Sequence, residues 1–157
     1  MSELLSGYRK GHYWECLQKI LKTLNEISLD ITGDHERQFE DRIAATLGFL
    51  FKNDFIDQRN TKQVITRVTL FGHDHRPDMS VGTDGIAIEV KLAKSGQSFR
   101  EAIGQSLIYR MGYRFVIVVW IDTTRDKVYN KAFENEEGDE KKFLRLLEDH
   151  NIFCVIK

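Results

Sequence analysis

A chain of 157 residues is long enough for one domain with a real core and short for two. Its mixture of 41% hydrophobic and 30% charged residues is that of an ordinary globular protein, and a single proline, Pro77, argues against a proline-rich linker or a disordered tail. The formal net charge of −1 gives no basic excess, so any affinity for DNA must come from local basic patches, from a bound metal ion or from dimerisation.

The first residues, Met-Ser-Glu-Leu-Leu-Ser, lack the basic start and apolar stretch of a secretory signal. Residues 12–28 read as a helix, with Trp14, Leu17, Ile20, Leu21 and Leu24 at helical spacing. Cys16 lies on it, and Cys154 is near the other end of the chain. Both sit in apolar surroundings and read as small core residues in a reducing, cytoplasmic setting. Leu29 to Gly33 is a break, after which Asp34 is the expected N-cap of a second helix reaching about Lys52. Its apolar stripe is Phe39, Ile43, Leu47 and Phe51.

Residues 63–71 are rich in β-branched side chains and alternate, which predicts a strand, with Gly72 to His75 as a turn. Strands are expected at about 76–81 and 86–93, joined by the hairpin loop Gly82-Thr83-Asp84-Gly85. Ser98 is the expected N-cap of a helix to about Met111, with Phe99, Ile103, Leu107 and Met111 on one stripe and Gly112 to stop it. Phe115 to Ile121, apolar throughout, predicts a strand buried on both faces and parallel to a neighbour. It is the longest apolar run, seven residues against the roughly 20 needed to span a membrane. Residues 123–138 read as a polar loop, 139–149 as a short helix and Ile152 to Ile156 as a last strand. The expected class is α/β, a mixed central sheet flanked by helices.

The chemistry lies on the predicted hairpin. If the four-residue loop sets Val81 opposite Ile86, one face carries Pro77, Met79, Val81, Ile86, Ile88, Val90 and Leu92 and must be core. The other face carries Arg76, Asp78 and Ser80 opposite Ala87, Glu89 and Lys91, with Asp78 directly across from Glu89. Like charges so placed destabilise a sheet by roughly 0.2–1 kcal/mol. Two carboxylates about 5 Å apart at Cα can instead converge on a hard dication such as Mg²⁺ or Mn²⁺, which prefers oxygen ligands and retains waters for substrate and nucleophile. Lys91, two residues beyond Glu89, projects from the same face and can contact a phosphate or help position the attacking water. The alternative is a solvated face on which Lys91 merely pairs with Glu89 or Asp78.

Pro77-Asp78, ten intervening residues and Glu89-Val90-Lys91 resemble the motif of the PD-(D/E)xK nuclease superfamily. The order of elements over about residues 34–122 is similar to that family's αβββαβ restriction-endonuclease-like core. Residues 1–33 would then be an N-terminal helical extension and 123–157 a C-terminal helix and strand, all within one nuclease-like domain. The resemblance implies a Mg²⁺-dependent deoxyribonuclease with Asp78, Glu89 and Lys91 catalytic. It also implies a third metal ligand on the helix before the first strand, where Glu40 takes that position and Glu36 is the fallback. Gln105-Ser-Leu-Ile-Tyr109 resembles the Gln-xxx-Tyr element of the recombination-nuclease branch, and spacing i, i+4 places both side chains on one helix face.

Several basic side chains could meet DNA phosphates: His75, Arg76, Lys94, Arg100, Arg110 and Arg114. His73 and His75 could bind Zn²⁺, but no further Cys/His cluster completes a tetrahedral site, and they read as turn residues near the hairpin. His12, His35 and His150 are isolated and read as surface. No serine–histidine–aspartate arrangement, phosphate loop or dinucleotide fingerprint is present. Cutting both strands of a duplex would call for a homodimer. The rival expectation is an inactive module of the same fold that binds nucleic acid or a protein partner.

Overall fold

In the computed structural model, residues 9–29 and 35–157 are described. Helix α1, His12–Glu26, turns Leu17, Ile20 and Leu24 inward. Helix α2, Glu36–Phe51, does the same with Phe39, Ile43 and Leu47. Its N-cap position is His35; Asp34 lies outside the described residues. Seven strands follow in two sheets: β1 Phe55–Asp57, β2 Val68–Leu70, β3 His73–His75, β4 Met79–Val81, β5 Ile86–Leu92, β6 Phe115–Ile121 and β7 Ile152–Ile156. Three further helices are α3 Gly96–Tyr109, α4 Val128–Glu134 and α5 Asp139–Asp149.

The main sheet has the order β1-β4-β5-β6-β7. β1, β4 and β5 run antiparallel in turn, whereas β5, β6 and β7 are parallel. Parallel neighbours need crossovers, and α3 makes the first while α4 and α5 make the second. The protein is therefore α/β, with a mixed five-stranded sheet between helices. Among the described residues no helix is long and apolar enough to cross a membrane.

Strand β6 shows why the core has two halves. Phe115, Ile117, Val119 and Ile121 face α1 and α2, while Val116, Val118 and Trp120 face α3 and α5. All seven residues are buried, as their unbroken apolar run requires. β5 divides differently. Ile86, Ile88, Val90 and Leu92 enter the first half, but only Ala87 enters the second, leaving Glu89 and Lys91 on that face for another purpose.

The β4–β5 hairpin has the expected register, with Val81 opposite Ile86 and Met79 opposite Ile88. Its loop packs under Tyr13. A Cβ on Gly85 would stand 2.5 Å from the Val81 carbonyl oxygen and 2.3 Å from the Tyr13 ring. A backbone oxygen cannot step aside, so Gly85→Ala should lower the denaturant midpoint by the equivalent of about 1–3 kcal/mol. An unchanged midpoint would show that the loop relaxes freely.

The structure corrects the sequence reading in six places. The first core strand is β1, directly after α2, not residues 63–71; that stretch pairs only over Val68–Leu70, and with β3. Residues 73–75 are thus strand, and only Phe71 and Gly72 make the turn. Helix α3 is capped by Ser95, whose side chain accepts from Ser98 N–H in a capping box, so it starts earlier than Ser98. Phe99 and Ile103 pack on the second core as expected, but the helix's fully buried face is Ala102, Ser106 and Tyr109, while Leu107 and Met111 are exposed, because the last turn follows Tyr109 into the sheet. The helix ends at Tyr109, before Gly112, whose bare Cα instead fits against Val68. The polar stretch 123–138 contains α4, held by Tyr129 and Phe133 packing on the second core.

Candidate metal centre

Asp78 enters the sheet just ahead of β4, and its Oδ2 accepts a hydrogen bond from Val90 N–H at 2.8 Å. This bond holds it beside Glu89, as the hairpin register demands. Glu89 is only 5% exposed. It can be reached because α3 comes close to the sheet through small side chains: Ala87 below, Ala102 and Ser106 above. That close approach brings the Tyr109 hydroxyl to 2.9 Å from the Arg76 carbonyl oxygen and 3.2 Å from Glu89 Oε2. The Tyr109 hydroxyl is thus a donor shared between the Arg76 carbonyl oxygen and Glu89 Oε2, and it ties the acid to the chain just ahead of Asp78.

The electrostatics agree. Burial pushes the Glu89 carboxyl well above its ordinary range, and the charge of Asp78 pushes it further, against the pull of Lys91. Burial also raises Asp78, opposed by the Val90 hydrogen bond, with Glu40 and Glu36 adding to the rise. Burial and the Glu89 charge drive the Tyr109 phenol upward too, so it stays a donor. Two adjoining acids, one buried and one half-buried, that resist ionising together are a site short of positive charge.

Lys91, 22% exposed at its side chain, lies one strand position inside the end of β5, with Nζ 4.0 Å from Glu36 Oε1. Glu36 Oε2 accepts from Leu92 N–H at 3.1 Å, so α2 is fastened to the end of β5 by this residue. Glu40, one turn on, is held elsewhere. Arg59 Nη1 donates to Glu40 Oε2 at 3.2 Å and to Asp41 Oδ1 at 2.8 Å, and Arg59 Nη2 donates to Asp57 Oδ2 at 2.9 Å. Burial raises the Glu40 carboxyl and Arg59 opposes the rise. A polar cleft of about 390 Å³ opens here, lined by Arg37, Glu40, Asp41, Asp57, Arg59 and Asn60. Arg59 was not singled out by its sequence; its position two residues past Asp57 was the only available signal.

Among the described residues, no group of three or more His, Cys, Asp or Glu is arranged to hold a metal ion. The donor chemistry of Asp78 and Glu89 still fits a hard dication. Mg²⁺ is commonly bound through one or two carboxylates, with waters and substrate phosphate completing its shell.

The supporting residues divide. Tyr109 is in the site, while Gln105 lies one turn before it with a buried Oε1 that finds no hydrogen-bond partner among the described residues. Arg76, Lys94 and Arg100 are exposed and His75 is half-buried. Arg110 is not an outward cation: its Nε donates to the His150 carbonyl oxygen at 2.9 Å and its Nη1 to that of Tyr113, tying α3 to the start of β7. Arg114 pairs with Asp84 at 3.9 Å and lies over the Tyr13 ring. Cys16 and Cys154 are free thiols.

Fold and site together define a class: an α/β protein with an acidic pair, Glu89 buried and Asp78 half-buried, and a lysine on one face of a mixed sheet. No family model, curated protein or solved structure matches the chain closely enough to narrow that class.

Proposed function

We propose that this protein is a metal-dependent nuclease that hydrolyses phosphodiester bonds of DNA, with Mg²⁺ or Mn²⁺ as its cation. The observation that carries the reading is the opposed pair Asp78 and Glu89, half-buried and buried beside Lys91, whose mutual repulsion a dication would relieve. A bound dication supplies Lewis acidity and lowers the pKa of a coordinated water.

The chain's own groups do the rest. Asp78 and Glu89 would hold the cation as carboxylates, and Glu40, which pairs with Arg59 in this structure, is the nearest third acid on α2 that the resemblance implies. Lys91 presents its ammonium to the scissile phosphate and stabilises charge developing there. Tyr109 fixes the orientation of Glu89, with Gln105 behind it. Arg76, Lys94, Arg100 and His75 would meet the DNA backbone. Cutting both strands would take two copies of the chain.

The pairing of Glu40 with Arg59 favours one rival, an inactive module of this fold that binds nucleic acid or a protein without turnover. A single experiment separates them. Incubated with Mg²⁺ or Mn²⁺ and plasmid, linear, single-stranded or branched DNA, the protein should cleave at least one substrate. Asp78→Asn should abolish both cleavage and cation binding by calorimetry. Tight DNA binding with no cation affinity and no product would establish the module instead.

A further inference from the structure

The β2–β3 hairpin stands apart from the main sheet, and its tip departs from ordinary turn chemistry. Leu70 pairs with His73, leaving a two-residue turn in which Phe71 has φ 54° and Gly72 φ 75°. Two consecutive positive φ angles are the type I′ pattern, for which asparagine followed by glycine is preferred. A phenylalanine in the left-handed region is strained. Among the described residues no packing offsets that strain, because Phe71 is 89% exposed, the most exposed large apolar side chain described.

The base of the hairpin is fixed. Val68 is buried against Gly112, and the Tyr109 hydroxyl bonds the Arg76 carbonyl oxygen just beyond β3. β3 then runs through Arg76 and Pro77 into Asp78, so the ribbon is anchored at the acidic pair. Extending the register places Arg67 opposite Arg76, both exposed. Between residues 60 and 77 the chain carries Lys62, Arg67 and Arg76 against Asp74 alone, in a protein of net charge −1. Asp74 is engaged by the Thr69 hydroxyl at 2.8 Å. A hairpin with Arg67 and Arg76 at its base and a bare aromatic at its tip is complementary to a polyanion with an apolar interior.

The dimensions fit. Two strands lie about 5 Å apart, within the roughly 12 Å width of the DNA major groove. Three residue pairs rising about 3.3 Å each reach about 10 Å, comparable with a groove depth of about 8.5 Å. We propose that the β2–β3 hairpin enters the major groove of duplex DNA beside the scissile phosphate, with Arg67 and Arg76 on flanking phosphates and Phe71 against the base edges. Thymine methyl groups are the apolar feature Phe71 would meet there. This rests on the nuclease reading for its substrate, but its test does not require cleavage.

The variant Phe71→Asn creates the preferred turn pair with Gly72, so it removes the ring without weakening the hairpin. Fluorescence anisotropy with a labelled duplex in EDTA reads binding with no metal and no turnover. Phe71→Asn should melt no lower than the native protein yet bind the duplex about 10- to 100-fold more weakly, the equivalent of a buried phenylalanine. Arg67→Ala should weaken binding and lower the salt dependence by about one counterion. Undiminished binding by Phe71→Asn overturns the proposal while leaving the nuclease reading intact if cleavage persists. So does a concentration-dependent dimer in sedimentation that Phe71→Asn abolishes, since the tip would then serve self-association. A native protein that neither binds nor cuts DNA defeats both readings.

Discussion

Slightly above neutral pH, Glu89→Gln should melt higher than the native protein and should gain nothing from added Mg²⁺. The acid is 5% exposed and its carboxyl is raised by burial first and by Asp78 second. In the unfolded chain the same carboxyl ionises in the usual range, about 4.3. Between that value and the raised folded value, the folded state holds a proton that the unfolded state has lost. Stability therefore falls as pH rises through this window, and the penalty is complete above the folded value. Below about 4.3 both states are protonated and the penalty vanishes.

Glutamine removes the ionisation and keeps the size. The expected gain is on the order of 1–3 kcal/mol, or about 2–4 °C of melting temperature per kcal/mol in a chain of this length. Scanning calorimetry across pH checks it: the native protein should lose stability with rising pH and the variant should lose less. Mg²⁺ should restore the native protein by binding the folded state. A variant that melts lower at every pH, or responds to Mg²⁺ like the native protein, would show that the acid is already ionised without penalty.

Lys91→Met should lower DNA cleavage by about 10²–10⁴-fold, and should lower stability above the ordinary carboxylate range because both acids lose a counter-charge. Methionine keeps the apolar stem against the sheet and removes the charge. Two effects combine. The ammonium stabilises charge at phosphorus, and it also lowers both Asp78 and Glu89 in the resting site. Losing it drives both acids further toward their protonated forms and weakens cation binding. Single-turnover assays over a Mg²⁺ series separate the two. More Mg²⁺ should restore occupancy and leave most of the rate defect. Full recovery at saturating Mg²⁺ would reduce Lys91 to a balancing charge.

The parts legible in the sequence are local. The Gly82–Gly85 loop fixed the register, so period-two alternation alone assigned Met79, Val81 and Ile88 to the core and opposed Asp78 to Glu89. The same locality made α5 and β7 readable to the residue. β1 was missed because three residues after a helix carry too little alternation to signal a strand. Residues 63–67 were over-read because alternation permits a strand but cannot supply its neighbour. The α3 stripe was half right: Phe99 and Ile103 pack on the second core, but Leu107 and Met111 are exposed, because the small face of Ala102 and Ser106 is what the sheet admits there.

By itself, then, the sequence determined which residues share the polar face of one hairpin, because a two-residue period and a four-residue loop leave a single register. Tertiary structure decided the state of that face. Tyr109 reaches Glu89 from 20 residues away, Arg59 takes hold of Glu40 from 19 away, and Glu36 meets Leu92 from 56 away. Those contacts, and the burial they accompany, set which acids are raised and which are paired. No periodicity encodes them, because they depend on where separate elements come to rest against one another.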